Sequence, residues 1–453
     1  MAAYTLKKGY NLRIVGSPES TLENAIKPAS VAVDIRDFHG VRTKLAVRVG
    51  DMVKIGSPVL ESKDCADVKF TSPVSGEVVE IRRGARRALQ EIVIKSDGKD
   101  EAESFPVTSC DDILNSTRES ILSNLLKSGM FVAIDQRPFA IVPDPKVVPR
   151  DIFISAYFTG PLRADVNLIL RGSEAAFQAG LNALSKLTDG DVHLSYEADR
   201  GDLSEAILRA QNVKINTFKG PHPAGNAGVQ IHHIKPVNKG DVVWCVTPQT
   251  VVNIGKLFID GKANFERIVA LVGECVADKK HIKTIAGAAL PDILKGKVAE
   301  GQDARYISGD VLTGIQKNKE GFFGFHANQI SLIPEIQNKE FMGWVLPNIG
   351  KESFSGTFLS WLSPNKKYSH NTGYHGGERA FVATGEYESV VPMDVFPVHL
   401  IKCIMYQDIE AMEGLGILEV APEDFALCDF ICVSKIEVQQ TLRQGLELFR
   451  KEG

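Results

Sequence analysis

The sequence predicts a multidomain protein that combines α+β and α/β domains, and three observations support this. A chain of 453 residues is too long for a single hydrophobic core and should divide into about three or four domains. The stretch Thr43–Ile81 contains only strand and turn patterns, whereas helical and strand patterns alternate between Ile113 and Phe218. Apolar residues at helical spacing then characterise the carboxyl-terminal region.

The stretch Thr43–Ile81 predicts a small β sandwich. Leu45, Val47 and Val49 alternate with polar residues, and glycines mark the turns between apolar segments. Each predicted strand has about five residues, so none can bury an apolar face alone. The strands must therefore fold back on one another to form a core.

Two motifs in this stretch resemble those of biotinyl/lipoyl-type barrel-sandwich domains. They are V-x-x-G-D-x-V-x-x-G, beginning at Val47, and T-S-P-V-S-G, beginning at Thr71. In that family a hairpin lysine eight residues before the proline carries the prosthetic group, but eight residues before Pro73 this chain has Cys65, and the nearest lysine is Lys63. Because the lysine must be presented in one turn register, the resemblance predicts the fold without covalent cofactor carriage.

Composition narrows the classes of function. Charge is nearly balanced, with 52 Lys and Arg against 56 Asp and Glu, which argues against nucleic acid as the main partner. The seven cysteines are odd in number and scattered, as expected in a reducing compartment. The start lacks the apolar core of a signal peptide, and no apolar run approaches the ~20 residues of a membrane span. Attachment to a membrane would therefore depend on other proteins.

The region after an acidic boundary at Asp97–Ser104 predicts a mostly parallel α/β sheet, because helices and strands alternate along it. The predicted helices are Ile113–Leu126, Ser173–Leu184 and Leu203–Gln211, and the predicted strands are Phe131–Ile134, Asp151–Phe158, Val166–Leu170, His193–Tyr196 and Val213–Phe218.

This α/β region lacks the sequence motifs of nucleotide binding. No G-x-G-x-x-G follows a strand, so the backbone approach to a pyrophosphate that a Rossmann site needs is not encoded. A P-loop is also excluded, because Gly255–Ala263 has one spacer residue too many and ends in alanine. The sequence also lacks G-x-S-x-G, H-E-x-x-H and paired C-x-x-C motifs. We therefore expect a nucleotide-type scaffold without a nucleotide site.

Two residue clusters invite a metal interpretation. His222, His232 and His233 follow or interrupt a Gly/Pro-rich loop, but their spacing matches no closed tetrahedral site, and a structural loop is the favoured interpretation. Cys428 and Cys432 are the only cysteines close in sequence, whereas a four-iron cluster needs four thiolates. The sequence thus favours buried structural cysteines and no metal site.

Five motifs in order along the chain resemble those of a known family, the A subunits of the sodium-translocating NADH:quinone oxidoreductases. They are K-G-P-H-P-A-G-N-A-G from Lys219, I-S-G-D-V-L-T-G from Ile307, H-x-N-Q-I-S from His326, G-E-R-A from Gly377 and E-D-F-A-L-C-D-F-I-C from Glu423. The resemblance covers essentially the whole chain.

The resemblance implies a peripheral subunit on the cytoplasmic face of the bacterial inner membrane, in a translocase of the respiratory chain that couples quinone reduction to sodium transport. It implies a role in assembly and at the quinone-reduction end, where semiquinone becomes quinol, beside the integral-membrane B subunit. No catalytic residue and no cofactor is expected in this chain. FAD, FMN, riboflavin and iron–sulfur centres are expected in partner subunits, and quinone is the substrate of the complex.

The family is similar in its core to the NADH-binding flavoprotein subunit of complex I, which implies a domain order. The expected parts are an N-terminal arm (1–30), a barrel-sandwich domain (31–100), a Rossmann-like α/β domain (101–260), a β-grasp domain of the ubiquitin-like/SLBB type (261–335), and a connecting segment with a C-terminal helical domain (336–453). In the β-grasp domain we expect a strand at Ile268–Val272, a helical turn at Leu290–Leu294 and a strand-turn pair at Ile307–Ile315. Phe341–Trp361, rich in Gly, Ser and aromatics, is expected to be an ordered connection or an interface.

Phe38, His39 and Arg42 form a candidate quinone-proximal site at the entry to the sandwich. A quinone headgroup needs an apolar wall and hydrogen-bond donors, which these residue types supply. The alternative is that Phe38 anchors a sandwich edge and His39 is solvated.

A second candidate is an arginine cluster after the last predicted strand of the sandwich, namely Arg82, Arg83, Arg86 and Arg87. It is either a solvated turn or a contact to one of the partner subunits.

Two other functions remain open from the sequence. One is a soluble carrier or binding protein with a modified sandwich hairpin, which an adduct in the intact mass would reveal. The other is an NADH dehydrogenase subunit with an unrecognised flavin site, which bound flavin would reveal.

Overall fold

A computed structural model describes residues 2–336, 342–343 and 350–453. The described chain contains four β-sheets followed by a helical region. Its first two strands are β1 (Ala2–Thr5) and β2 (Leu22–Glu23), and each is the edge strand of a sheet formed mainly by later residues. The N-terminal arm therefore contributes one edge strand to each of two different sheets.

The predicted β sandwich is confirmed and consists of two small antiparallel sheets. Its strands are β3 (Ser30–Asp34), β4 (Thr43–Leu45), β5 (Met52–Val53), β6 (Pro58–Ser62), β7 (Lys69–Thr71), β8 (Gly76–Arg83) and β9 (Leu89–Ser96). The strand orders are β3–β9–β8–β5 and β4–β6–β7. Val59, Leu60 and Val78 are completely buried, so the apolar alternation faces a common core.

The predicted α/β region is also confirmed. Its elements are α1 (Arg118–Ser128), β10 (Asp135–Arg137), β11 (Ile152–Ser155), α2 (Val166–Leu170), α3 (Glu174–Ser185), β12 (Val192–Glu197), α4 (Glu205–Leu208), β13 (Lys214–Lys219), α5 (Ala227–Ile234), β14 (Val243–Val246) and α6 (Pro248–Asp260). The strand order is β1–β13–β12–β11–β14–β10, in which β10 alone runs antiparallel to its neighbour.

A second mixed sheet follows. Its elements are β15 (Glu266–Val272), β16 (His281–Ile285), α7 (Leu290–Ile293), β17 (Ala304–Ser308), β18 (Ile315–Lys317) and β19 (Gln329–Pro334), in the strand order β18–β17–β19–β15–β16–β2. The central strands β15 and β19 are parallel. The strand predicted at Ile268–Val272 and the helical turn predicted at Leu290–Leu294 are both present.

The carboxyl-terminal region is helical, as the apolar spacing predicts. It contains α8 (Tyr387–Val390), α9 (Pro397–Tyr406), α10 (Ile409–Gly414), α11 (Ala426–Ile431) and α12 (Val438–Glu452). Within the predicted connection Phe341–Trp361, residues 341 and 344–349 lie outside the described residues. Among the described helices, none has the length and apolar character needed to span a membrane.

Two predicted strands are wrong. Val166–Leu170 forms helix α2, because the side chain of Asp165 accepts a hydrogen bond from the backbone N–H of Asn167 at 3.0 Å and so caps a helix. Phe131–Ala133 forms a 3₁₀ turn that leads into β10. Both segments are short and mainly apolar, and such runs do not distinguish a buried strand from a buried helical turn.

Candidate functional site

A cleft of ≈ 290 Å³ lies at the carboxyl ends of β11 and β14. In open parallel sheets, ligands bind at the carboxyl ends of strands where the strand order reverses. In this sheet the strand order reverses at β11. Strands β12 and β13 lie on one side of β11, and β14 lies on the other side. Loops of the second mixed sheet and Glu423 of the helical region complete the cleft, so residues distant in sequence converge on it.

Arg137, the last residue of β10, is the buried cation of the cleft wall. Its side chain is 8% exposed, and Nη2 donates to Oε1 of Glu423 at 2.8 Å. Nε and Nη1 are buried and have no hydrogen-bond partner among the described residues. Burial acts to lower the pKa of Arg137, but neighbouring acidic groups, chiefly Glu423, outweigh it, so the pKa is raised and the side chain stays charged.

His222 supplies a second donor without a partner, and its tautomer follows from the hydrogen-bond network. The side chain is buried, its Nδ1 lies 3.1 Å from Oγ1 of Thr159, and its Nε2 has no partner among the described residues. Oγ1 of Thr159 already accepts from the backbone N–H of Gly225 at 3.0 Å, so its own proton is available to Nδ1. Burial lowers the pKa of His222, which favours the neutral ring. With Nδ1 accepting from the hydroxyl of Thr159, we assign the ring proton to Nε2.

The loop that carries His222 is fixed by close backbone packing. A Cβ on Gly225 would lie 2.0 Å from the carbonyl oxygen of Tyr157, and one on Gly228 would lie 2.2 Å from Oδ2 of Asp424. Glycine is therefore required at both positions. The unusual Gly/Pro-rich loop noted in the sequence is thus a wall of the cleft and a contact with the helical region.

Burial shifts the pKa values of three further groups in or beside this wall. Burial, followed by the nearby charge of Glu423, raises the pKa of Asp424 to about 7. Burial also raises the pKa of Asp135, and it lowers the pKa of His326 to about 3, with Arg267 contributing. The cleft therefore combines a permanent cation, Arg137, paired with Glu423, and an imidazole, His326, that is neutral at pH 7.

The structure places the predicted residues Phe38, His39 and Arg42 in different environments. Phe38 is 6% exposed, and its ring centroid lies 5.5 Å from that of His326, so it packs behind a residue that lines the cleft. His39 is exposed, and its backbone oxygen accepts from the N–H of Val142 at 3.2 Å. The side chain of Arg42 is 79% exposed and pairs with Asp64 on the surface.

The four arginines occupy the hairpin between β8 and β9. Arg82 is tied down, because its Nε donates to Glu80 at 2.9 Å and its Nη1 to Glu91 at 3.0 Å. Arg83, Arg86 and Arg87 are exposed, and within the described part of the chain none of them forms an ion pair. Three of the four arginines, Arg83, Arg86 and Arg87, are therefore available to contact a partner.

Two other groups of potential metal ligands lie outside the cleft. Cys428 and Cys432 are 0% and 2% exposed and belong to the core of the helical region. Ligand atoms of Asp151, Asp191 and His193 lie within 4.8 Å of one another at the amino ends of β11 and β12, away from the cleft. This second cluster is neutralised by its own cations, namely Arg150 and Lys235 on Asp151 and Lys214 on Asp191.

Sequence reasoning missed Arg137. It singled out the loop of His222, but a lone arginine in a three-residue edge strand gives no periodic signal. The available indication was local. The apolar run 130–134 is followed by two polar residues, then by Arg137 and a proline, and this pattern marks the end of a buried element.

The chain matches three parts of one protein family. Residues 4–97 match the NqrA N-terminal barrel-sandwich hybrid domain, residues 116–263 the NqrA second alpha/beta domain, and residues 268–319 the NQRA C-terminal domain. The first match agrees with the β sandwich, and the second with the parallel sheet that forms the cleft.

Full-length relatives give the same result. The A subunit of the Na(+)-translocating NADH-quinone reductase from Pasteurella multocida is 39% identical over 450 residues, covering 99% of this chain and 100% of the relative. The corresponding subunit from Neisseria meningitidis serogroup B is 38% identical over 449 residues, covering 99% of each chain. A chain of an NAD+-reducing [NiFe]-hydrogenase is 13% identical with a TM-score of 0.40, covering 76% of this chain and 63% of its own, a likeness too low to carry a functional argument.

Proposed function

Because this chain belongs to the family of A subunits of the Na+-translocating NADH-quinone reductases, we propose that its cleft serves the quinone-reduction end of that enzyme. In this proposal the chain is a cofactor-free, peripheral subunit on the cytoplasmic face of the inner membrane, beside the integral-membrane B subunit. FAD, FMN, riboflavin and iron–sulfur centres belong to the partner subunits. Conversion of semiquinone to quinol is coupled there to Na+ export.

The observation that carries the proposal is that two nitrogens of Arg137, Nε and Nη1, find no acceptor among the described residues, although this residue lines the cleft. A buried donor left without an acceptor costs ~1–3 kcal/mol, so a ligand that supplies acceptors would recover that free energy. A quinone headgroup is flat and uncharged, and its carbonyl oxygens accept hydrogen bonds. Nε2–H of His222 offers a further donor on the same cleft.

Proton supply also suits quinone chemistry. Reduction of a quinone to quinol consumes protons, and a group with a pKa near the working pH is best placed to deliver them. Asp424 has such a pKa, about 7, and it contacts Asn226 of the cleft wall at 3.3 Å. We propose that Asp424 supplies protons from behind the quinone headgroup, and that Arg137 and His222 orient the headgroup by hydrogen bonds.

We also propose the finer fold assignments, a Rossmann-like domain for residues 101–260 and a β-grasp domain of the SLBB type for residues 261–335. The parallel order of the first sheet and the parallel central pair of the second support them. The exposed arginine hairpin is proposed as a contact with one of the partner subunits, since Arg83, Arg86 and Arg87 lack internal ion pairs in the described part of the chain.

The kinetic test uses the assembled, membrane-embedded enzyme with Arg137→Met. We expect the KM for a short-chain ubiquinone to rise at least about tenfold, which corresponds to ~1.4 kcal/mol of lost binding. Reduction of ferricyanide by NADH, which bypasses quinone, should be unchanged. Arg137→Lys, which keeps the charge, should be impaired less than Arg137→Met.

Arg209→Met is the matched control, because Arg209 is 81% exposed on the surface just after α4, away from the cleft. An unchanged quinone KM in an assembled Arg137→Met enzyme would exclude the cleft as a quinone site. Equal losses of the quinone and ferricyanide activities would also contradict the proposal, because they would indicate general damage rather than loss of quinone contacts.

The location of the cleft also suits a second candidate function, a flavin site in an NADH dehydrogenase subunit. Flavins, like other nucleotides, bind where the strand order of a parallel sheet reverses. The two assignments differ in a simple observable. Flavin that co-purifies stoichiometrically with the full-length chain, and is lost in Arg137→Met, would favour the rival over the quinone assignment.

A further inference from the structure

The turn Leu359–Leu362 has an inverted burial pattern. Its large apolar side chains face solvent, with Leu359 49%, Trp361 63% and Leu362 59% exposed, whereas the small polar Ser360 between them is 3% exposed. Soluble proteins seldom expose several large apolar side chains side by side unless the patch binds something. The pattern therefore marks this turn, which we call the Trp361 turn, as an interaction surface.

The Trp361 turn is held rigidly in this orientation. Nη1 of Arg13 donates to the carbonyl oxygens of Ser360 at 3.1 Å and Ser363 at 2.8 Å. The hydroxyl of Ser353 accepts from the N–H of Phe358 at 2.9 Å, and Phe358 itself is buried. The turn is thus anchored on both sides by buried or bonded residues, and its apolar side chains are presented outward by a built platform.

A second anchor lies on the carboxyl-terminal side of the turn. Tyr368 is 2% exposed, and its backbone N–H donates to the carbonyl oxygen of Arg13 at 2.6 Å. Its backbone oxygen accepts from the N–H of Val15 at 3.0 Å. The N-terminal segment therefore fixes both ends of the stretch that carries the exposed tryptophan.

Charge around the Trp361 turn is positive although the whole chain has a net charge of −4. Residues 350–380 contain four Lys and Arg residues and two glutamates. One of these acids, Glu352, has no exposed side-chain surface and forms an ion pair with Arg13. Lys366 and Lys367, four and five residues after Leu362, are exposed.

We propose that the Trp361 turn inserts into the headgroup region of a bilayer that contains anionic lipid. Tryptophan is enriched at membrane–water interfaces because its ring is apolar and its N–H can remain hydrated. Leucines beside it reach the acyl boundary, while nearby lysines meet anionic headgroups. The chain would then touch lipid directly, in addition to being held by partner subunits.

The occupant is a lipid surface rather than a protein groove for two reasons visible at the turn. The exposed apolar group is small, since it consists of three side chains on one four-residue turn, and such a group suits a shallow interfacial anchor. The flanking charges are all basic over the exposed run 361–367, which contains no carboxylate. A protein partner remains the alternative that the experiment separates.

The test is co-sedimentation of the full-length chain with phosphatidylcholine vesicles made with and without phosphatidylglycerol. We expect binding to the vesicles with phosphatidylglycerol and a loss of roughly tenfold or more in the triple variant Leu359→Ser/Trp361→Ser/Leu362→Ser. Lys366→Gln/Lys367→Gln should weaken binding only where anionic lipid is present. Trp361→Phe should retain most of the binding.

The matched control is Leu208→Ser/Tyr406→Ser, which removes side chains that are 57% and 85% exposed elsewhere on the surface. Vesicle binding that is absent in the unmodified chain, or equal in the triple variant, would overturn the proposal. So would loss of co-purification of the triple variant with its partner subunits in detergent, since that outcome identifies a protein contact. The assay contains no quinone, so its outcome is independent of the cleft proposal.

Discussion

At the scale of single residues, the charge states of a few buried groups decide what the cleft can bind. Arg137 remains a cation because acidic neighbours outweigh its burial. Cys245, on the floor of the cleft, has a pKa raised to about 12 by burial, so it stays a thiol and is a poor nucleophile at neutral pH. The cleft is therefore suited to orient a neutral acceptor by hydrogen bonds and unsuited to covalent chemistry.

Asp424 should make the stability of the chain depend on pH. The native state holds its proton up to about pH 7, because burial and then Glu423 raise its pKa, whereas the unfolded chain loses that proton near 3.8. Between these values the native state binds more protons, so the free energy of unfolding falls as pH rises, by at most ~1.4 kcal/mol per pH unit.

Asp424→Asn removes this titration. We expect the thermal-unfolding midpoint of the variant, relative to the unmodified chain, to rise steadily between about pH 4 and pH 7 and then to level off. Asp67→Asn, at an exposed aspartate, is the control and should show no such trend. A pH-independent difference between Asp424→Asn and the unmodified chain would show that Asp424 is ionised throughout this range.

Individual site residues were only partly predictable from the sequence. The loop of His222 was recognisable because its Gly/Pro composition is unusual. Phe38 was predicted to lie near a quinone, but the sequence does not show that its ring packs against that of His326, a residue almost three hundred positions away. Arg137 was invisible for the same reason: its partner, Glu423, belongs to the helical region.

At the scale of elements, the crossing of α3 and α6 supports the sheet beneath the cleft. A Cβ on Gly255 of α6 would lie 1.7 Å from the carbonyl oxygen of Ala176 on α3. A Cβ on Gly180 of α3 would lie 2.0 Å from the carbonyl oxygen of Val251 on α6. Glycines on both helices thus allow their backbones to touch. Helix α6 starts directly after Thr247, a residue of the cleft, so its position matters for the site.

Gly255→Ala should therefore destabilise the chain by ~1–3 kcal/mol or more, since the added methyl group overpacks the crossing. Gly414→Ala is the matched control, because Gly414 is also helical and a Cβ there would meet nothing within 4 Å. Helix propensity alone should make that control neutral or stabilising by up to ~1 kcal/mol. Equal unfolding midpoints for the two variants would contradict the close helix crossing.

Elements with a clear period were predictable, and short apolar runs were not. The sandwich strands, the helix starting at Ser173 and the strand at Val213–Phe218 follow their apolar patterns and turn residues. The five residues Val166–Leu170 are too few to show a helical or strand period in their apolar side chains. A capping hydrogen bond to Asp165 favours the helix. Strand β1 pairs with β13 across more than two hundred residues, a partnership that local sequence does not encode.

At the scale of the whole molecule, distant segments join the parts. Strands β1 and β2 complete two different sheets, and the Arg137–Glu423 pair links the parallel sheet to the helical region. The β8–β9 hairpin, in contrast, projects three exposed arginines with no ion pair in the described part of the chain. The paired strands and the Arg137–Glu423 ion pair therefore hold the chain together, whereas the exposed arginines of the hairpin are available to partner subunits.

Arg83→Gln/Arg86→Gln/Arg87→Gln should weaken co-purification with the partner subunits, most clearly at low ionic strength, because salt screens surface ion pairs and so reduces what these arginines contribute. The matched control is Arg48→Gln/Arg171→Gln/Arg209→Gln, which removes the same charge from exposed arginines elsewhere. Equal recovery of the complex with both triple variants would exclude the hairpin as a partner contact.

The most direct test of the central claim is equilibrium binding of a short-chain ubiquinone to the full-length chain, measured by calorimetry. We expect saturable binding at one site that is weakened at least about tenfold by Arg137→Met, a loss of ~1.4 kcal/mol, and unaffected by Arg209→Met. Absence of saturable binding, or equal affinity in the unmodified chain and Arg137→Met, would contradict the claim that this cleft holds the quinone headgroup.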